Sequence, residues 1–128
     1  MIRYLNQERP IFLQIAEMLK DAILSGAYPE DAQIPSITEF SVAYNINPAT
    51  ALKGVTLLVE EGLLYKKRGL GMFVASGARQ QLVAQRKEGF YRDYIEPMIR
   101  EARHLEIGSV ELQQMTERGM KEHGDRNQ

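Results

Sequence analysis

The sequence predicts a mainly α-helical fold that contains one small β-hairpin, and three observations support this fold class. Apolar residues recur at three- and four-residue spacing after Pro10, which is typical of an amphipathic helix. Two further helical segments meet at the turn Asn45-Ile46-Asn47. Two short strand-like runs then flank Arg68-Gly69-Leu70-Gly71, which favours a tight hairpin. Helix, helix-turn-helix and hairpin, in this order, indicate a winged helix-turn-helix domain.

The first predicted helix begins at Pro10 and ends before Gly26. Proline is favoured at the first position of a helix and glycine just beyond the last. The apolar face of this helix comprises Ile11, Phe12, Ile15, Leu19, Ala22 and Ile23. Residues 27–33 are predicted to form a loop, in which Gln33-Ile34 could begin a very short strand.

The helix-turn-helix is predicted from its capping residues. Ser36 and Glu39 match a capping box, in which each side chain binds the backbone N–H of the other residue. Pro48 pushes the residue before it out of helical geometry, so Asn47 is expected to cap a third helix rather than to lie inside one. The inward face of that helix is predicted to comprise Ala51, Leu52, Val55, Leu58 and Val59.

The predicted strands of the hairpin span residues 63–67 and 72–75. Beyond a junction at residues 76–78, a second helical region carries Leu82, Val83, Phe90, Tyr94, Met98, Ala102 and Leu105. Pro97 should kink or break this region, because proline removes one backbone hydrogen bond. A short last helix over residues 110–118, capped by Ser109, would present Leu112 and Met115.

These patterns divide the chain into three predicted parts. Residues 1–76 form the winged helix-turn-helix domain, residues 77–118 a helical dimerisation segment, and residues 119–128 a polar, mobile tail.

Charge and composition narrow the classes of function. The 16 basic and 17 acidic side chains leave a net charge of −1, whereas nucleic-acid-binding domains usually carry a basic excess. Lys66, Lys67 and Arg68 are nevertheless consecutive, and such a local cluster can contact phosphates. The chain has no cysteine, signal-peptide pattern or long apolar run, so we expect a cytoplasmic protein that does not bind a membrane.

The sequence shows no pattern of residues typical of a catalytic or metal-binding site. His104 and His123 are the two histidines, and neither has a partner at metal-ligand spacing. Glu60-Glu61 and Glu101 show no paired arrangement for acid–base catalysis. Gly69-Leu70-Gly71 opens a strand rather than the helix that a phosphate-binding loop requires. We therefore expect neither an enzyme nor a bound metal or cofactor.

Six short phrases stand in order within residues 10–74. They are Pro10-Ile11-Phe12-Leu13-Gln14-Ile15, Ile23-Leu24-Ser25-Gly26, Ile34-Pro35-Ser36, Asn47-Pro48-Ala49-Thr50, Glu61-Gly62-Leu63-Leu64 and Arg68-Gly69-Leu70-Gly71-Met72-Phe73-Val74. Together they resemble the DNA-binding domain of the GntR family of bacterial transcription regulators. The Asn-Pro-x-Thr phrase and the short helical C-terminal segment resemble the YtrA-like subfamily. This resemblance implies a transcription regulator that binds double-stranded DNA. We expect it to bind a palindromic operator as a homodimer and to act as a repressor, although the sequence does not distinguish a repressor from an activator. It leaves room for a small-molecule effector whose identity it does not indicate.

The chain departs from the family pattern at three positions. Thr38 and Leu52 stand where many members carry an arginine, and Gly54 replaces a commoner alanine, whereas Lys53 matches the lysine of YtrA-like members. These differences bear on base-specific contacts more than on the fold.

The expected DNA-contacting residues belong to two elements and their flanks. In a helix-turn-helix the start of the second helix enters the major groove, which places Ala49, Thr50 and Lys53 against base edges. Around them, Ser36, Thr38 and Asn47 are expected to lie near phosphates. In the wing, Lys66, Lys67 and Arg68 would hold phosphates or the minor groove, and Gly69 and Gly71 would permit close approach. The same residues could instead form solvated surface, with the glycines serving only the turn and Ser36 and Asn47 only as caps.

The expected dimer interface is the apolar surface of the C-terminal helices: Leu82, Phe90, Tyr94, Met98, Leu105, Leu112 and Met115. This surface could fold back onto the wing domain or pair with a second copy. We favour the second copy, because it matches a two-fold operator and strengthens the binding of a small domain. The alternative function is a winged-helix protein–protein adaptor that has lost DNA binding, which the absence of an arginine at Thr38 supports.

Overall fold

The computed structural model describes Leu5 and residues 8–124. The elements, in chain order, are α1 (Ile11–Ser25), α2 (Ile37–Tyr44), α3 (Pro48–Glu60), β1 (Leu64–Lys67), β2 (Gly71–Val74), α4 (Ala78–Phe90), a π-helical turn (Tyr91–Ile95), α5 (Glu96–His104) and α6 (Ser109–Gly124). The chain divides into two compact units, Met1–Gln85 and Arg86–Gln128. The predicted fold class, mainly helical with a two-stranded wing, is confirmed.

Both helices of the helix-turn-helix begin where their caps predict. The Ser36 hydroxyl accepts a hydrogen bond from the Glu39 N–H at 3.1 Å, and Glu39 Oε1 accepts one from the Ser36 N–H at 3.0 Å. Hydrogen bonds to the Glu39 carboxylate from the Ser36 backbone N–H, and from the Ser36 side chain, stabilise its ionised form and lower the pKa of Glu39. At the next helix, Asn47 Oδ1 accepts from the Ala49 N–H at 2.8 Å. The capping box and the asparagine cap are thus both confirmed.

The core of the N-terminal unit is formed by α1, α2, α3, the hairpin and the start of α4. Its most completely buried large side chains are Ile15, Leu19, Ile23, Val55, Leu58, Leu63, Val74 and Leu82. Ala51, Gly54 and Val55 are buried on α3, at positions that share one helical face. A Cβ placed on Gly54 would lie 2.8 Å from the Phe12 carbonyl oxygen and 2.9 Å from Ile15 Cβ. The two helices therefore touch where α3 has no side chain.

Leu52 is a correction to the predicted inward face of α3. Its side chain is 47% exposed, whereas Val55 and Leu58 are fully buried. The buried face is centred on Ala51, and Leu52 lies about 100° further around the helix. Val59, at a similar angle, is only partly buried.

The wing is an antiparallel hairpin in which Leu64 pairs with Val74 and Lys67 with Gly71. The Leu70 N–H donates to the Lys67 carbonyl at 2.9 Å, and Gly69 at the turn has φ +79°. Glycine adopts this left-handed conformation without a steric penalty. Gln33 forms a single bridge to Phe73, as its possible strand predicted.

The boundary between the two units lies further along the chain than predicted. Ala78 and Leu82, on the first turns of α4, are buried in the core of the N-terminal unit, which extends to Gln85 rather than to Ser76. Leu82 is only 1% exposed and is enclosed by side chains of its own chain. It is therefore not a dimer-interface residue, contrary to the prediction.

In the C-terminal unit the helix widens at the predicted proline site instead of breaking. A π-helical turn spans Tyr91–Ile95, and α5 follows without an intervening loop. In an α-helix the Pro97 ring would clash with the carbonyl of Asp93, and a local π turn relieves this conflict.

The last helix is longer than predicted. It continues through Gly119 to Gly124, so most of the predicted mobile tail is helical, and residues 125–128 lie outside the described part. An interior glycine costs a helix only about 1 kcal/mol, and the helix-forming residues Met120, Lys121 and Glu122 continue the segment.

Candidate nucleic-acid interface

The exposed face of α3 combines small, apolar and cationic side chains. Ala49, Leu52 and Lys53 are exposed, and Thr50 is half-buried. Because the helix turns about 100° per residue, these four side chains lie on the side away from the buried Ala51. The first turns of α3 thus present an unobstructed surface of the kind that fits a major groove.

Lys53 has an aromatic neighbour that sequence patterns did not indicate. Its ammonium nitrogen lies 4.0 Å from the centroid of the Phe12 ring, over the ring face. A cation in this position is attracted by the ring quadrupole and is held without being neutralised. Phe12 comes from α1, 41 residues earlier in the sequence, so spacing alone could not have revealed the pair.

The residues expected near phosphates flank the two helix N-termini. Ser36, Thr38 and Asn47 are all exposed. Asn47 Oδ1 is engaged in capping, so its amide nitrogen is the atom of that side chain that could donate to a phosphate. Ser36 is likewise committed to its capping box with Glu39. Thr38 carries a hydroxyl on the first turn of α2.

The wing separates its cations onto two faces. Successive strand residues point to opposite sides, so Lys66 shares a side with Met72, whereas Lys67 shares one with the stacked rings of Tyr65 and Phe73. The Lys67 ammonium lies 4.5 Å from the Phe73 ring centroid. Lys66, Lys67 and Arg68 are all exposed, and within the described ranges the ion pairs are made by other cations, such as Lys20 with Glu61. Among these residues, none of the three wing cations forms an ion pair with a carboxylate.

Two side-chain hydrogen bonds help to hold the wing in place. Gln33 Nε2 donates to the Leu70 carbonyl at 2.6 Å, and the same amide nitrogen would lie 2.8 Å from a Cβ on Gly71. The Tyr65 hydroxyl donates to Asp31 Oδ1 at 2.8 Å, and this hydrogen bond raises the pKa of Tyr65. The φ of +126° favours glycine at position 71, and a side chain there would displace the Gln33 amide from its hydrogen bond.

The C-terminal unit carries the remaining predicted interface residues. The rings of Phe90 and Tyr94 lie 5.3 Å apart, and Tyr94 is 65% and Leu105 62% exposed. Met115 is also exposed, whereas Met98 and Leu112 are half-buried. Ala102 is buried within this unit. Apolar side chains therefore remain uncovered on its helices.

Metal sites and membrane-spanning helices are the other features that could indicate a function. Among the described residues, no three histidine, aspartate or glutamate side chains come together as metal ligands. Over the same part of the chain, none of the helices has the length and apolar character needed to cross a bilayer.

Comparison with known proteins places this arrangement in a family. Residues 12–74 match the model of the bacterial regulatory proteins of the gntR family. The crystal structure of a GntR-family transcriptional regulator from Bacteroides thetaiotaomicron is 35% identical, with a TM-score of 0.67, over 88% of this chain and 97% of that one. The chain belongs to the GntR family.

Two further similarities concern the GntR subfamily and DNA. The transcriptional repressor YtrA of Bacillus subtilis is 28% identical over 84% of this chain and 80% of its own length, in agreement with the predicted subfamily. The DNA-binding domain of AraR, solved in complex with an operator, is 30% identical with a TM-score of 0.52, over 59% of this chain and 93% of that one. The chain spans only about a third of the length of other curated relatives that it matches.

Proposed function

We propose that this GntR-family protein is a transcriptional regulator that binds a palindromic operator as a homodimer and represses transcription. The observation that carries the proposal is the pairing, in one unit, of two features: a capped helix whose exposed face bears Lys53, and a wing whose three cations form no ion pair among the described residues. Bacterial DNA lies in the cytoplasm, so the protein would act there. Its role would be regulatory, without catalysis.

In the proposed complex, the start of α3 enters the major groove. Thr50 and Lys53 would contact base edges, and the side chain of Asn47 a phosphate. The wing would lie along the adjacent backbone, with Lys66, Lys67 and Arg68 holding phosphates or the minor-groove edge. The AraR–operator complex supports this arrangement by similarity of the domain.

The homodimer is proposed on the uncovered apolar surface of the C-terminal unit. Phe90, Tyr94 and Leu105 are each more than half exposed there, which is unfavourable for a monomer in water. An isologous pair would bury these side chains and would carry two winged-helix domains, as a two-fold operator requires.

The experiment that tests the proposal is a fluorescence-anisotropy titration of the full chain against DNA from its own upstream region and against random DNA. Binding through several phosphates should prefer the upstream region and weaken linearly in log–log form as salt rises. A protein–protein adaptor, the competing function, would show neither the preference nor the steep salt dependence.

A further inference from the structure

Leu52 is an exposed leucine at one edge of the proposed reading surface. It lies one turn after Pro48 on α3, and its side chain is 47% exposed. Ala49, three residues earlier, is also exposed and is its neighbour on the same helix surface. The two side chains make a small apolar patch.

The cation beside this patch is held against α1. Lys53 follows Leu52 on the helix, but its ammonium rests over the Phe12 ring of α1, 4.0 Å from the centroid. Ala49 and Leu52 therefore form an apolar part of the reading surface, beside the polar Thr50 and with the cationic Lys53 at its margin. Neither the Ala49 nor the Leu52 side chain can donate a hydrogen bond to a purine N7 or O6 atom.

Thymine provides the one apolar group on base edges in the major groove, its C5-methyl group. We propose that Leu52, supported by Ala49, packs against a thymine methyl in each operator half-site and makes that position specific for thymine. This inference rests on the proposed DNA-binding function. Lys53 at the margin would place a guanine or a phosphate next to that thymine.

The test removes the methyl group and leaves every base-pair hydrogen bond in place. In the operator located by footprinting, each thymine of a half-site is replaced in turn by deoxyuridine, together with its symmetry mate, and the Kd of the full chain is measured. At one position the loss of the methyl should weaken binding by about four-fold per half-site. The remaining replacements should change the Kd by less.

A protein variant shows whether Leu52 senses that methyl group. Leu52→Ala should bind the thymine operator more weakly and should no longer distinguish thymine from deoxyuridine at the sensitive position. The matched control is Leu13→Ala, which shortens an exposed leucine of α1 and should retain the full difference. Circular dichroism of both variants checks that they are folded.

Two results would overturn the inference while the proposed function stands: specific operator binding with no sensitive thymine, or an unchanged thymine preference in Leu52→Ala. The failure of the proposed function is a different result, in which the wild-type chain does not prefer the upstream DNA over random DNA at any salt concentration.

Discussion

Gly54 determines how closely α3 can approach α1. A methyl group at this position would lie 2.8–2.9 Å from the Phe12 carbonyl oxygen and the Ile15 side chain. Backbone oxygen cannot move aside as a flexible side chain can, so the helices would have to separate. The position of the proposed reading helix therefore depends on a missing side chain.

Gly54→Ala should accordingly destabilise the N-terminal unit by about 1–3 kcal/mol, the usual cost of overpacking a core. Thermal unfolding followed by circular dichroism measures the change. Gly119→Ala is the matched control, because Gly119 is also inside a helix but has open space around it. That substitution should stabilise its helix by about 0.5–1 kcal/mol, and a similar gain at Gly54 would contradict the close approach of the two helices.

Lys53 is the residue whose removal should alter base preference. Lys53→Ala should weaken operator binding by about 1–3 kcal/mol and relax preference at one or two base pairs. Phe12→Leu should give a smaller loss, about 0.5–1 kcal/mol, because it removes the ring that holds the ammonium. Competition binding with single-base operator variants measures both, and Lys121→Ala on α6 is the control. Unchanged affinity and preference in Lys53→Ala would show that this lysine is ordinary surface.

At the scale of elements, one substitution can separate the two roles of Asn47 at the start of α3: helix capping and the proposed contact with a phosphate. Asn47→Asp keeps a side-chain oxygen that caps equally well and adds a negative charge favourable to a helix N-terminus. We expect unchanged or slightly higher thermal stability but weaker binding to operator and random DNA, because the new charge would face phosphates. If affinity is unaffected at low salt, Asn47 is only a cap.

The wing should contribute to the binding of every DNA sequence alike. Replacing Lys66, Lys67 and Arg68 with alanine should weaken specific and random binding together. The slope of log affinity against log salt should shrink by up to about 0.9 for each phosphate that the variant no longer binds. A control with the same change in charge replaces Arg100, Arg103 and Lys121 of the C-terminal unit. Equal slopes for the two triple variants would eliminate the wing as a phosphate-binding element.

Local signals predicted these elements well. Ser36, Glu39, Asn47 and Pro48 act on backbone atoms within a few residues, so the starts of α2 and α3 follow from sequence. Contacts between distant segments were not predictable in this way. Gln33 reaches Leu70 across 37 residues, and Leu52 was misplaced because the angular centre of the buried face depends on where α1 packs. The exposed residues of the proposed site could be named from sequence. The contacts by which Phe12 holds Lys53 and Gln33 holds the turn of the wing could not.

At the scale of the whole molecule, the prediction concerns assembly. The full chain should sediment as a dimer at micromolar concentration, and Tyr94→Asp should shift it towards monomer by placing a charge in the proposed interface. Operator affinity of that variant should fall by about 10²-fold or more, because two linked domains bind far more tightly than one. Tyr65→Phe, in the N-terminal unit, serves as a control that leaves assembly unchanged. A monomeric wild-type chain would refute the dimer.

Truncation completes this test, and the structure indicates where to cut. A chain ending at Gln85 retains Ala78 and Leu82 in its core and should be a folded monomer with weak operator binding. A chain ending at Ser76 lacks both side chains and should be markedly less stable. A truncated form that still dimerised would move the interface out of the C-terminal unit.

The π-helical turn over Tyr91–Ile95 affects how the length of this chain can vary. Its hydrogen bonds span one residue more than those of an α-helix, so this segment contains, in effect, one spare residue. Deleting Arg92, together with Pro97→Ala to avoid the proline clash in an ordinary α-helix, would leave the angular phase of α5 unchanged. Deletion of a residue inside α5 would rotate the residues after it by about 100° about the helix axis. The apolar side chains after the deletion would then leave the face that they share with those before it. In a Pro97→Ala background, deletion of Arg92 should therefore preserve the proposed dimer, whereas deletion of a residue inside α5 should weaken it.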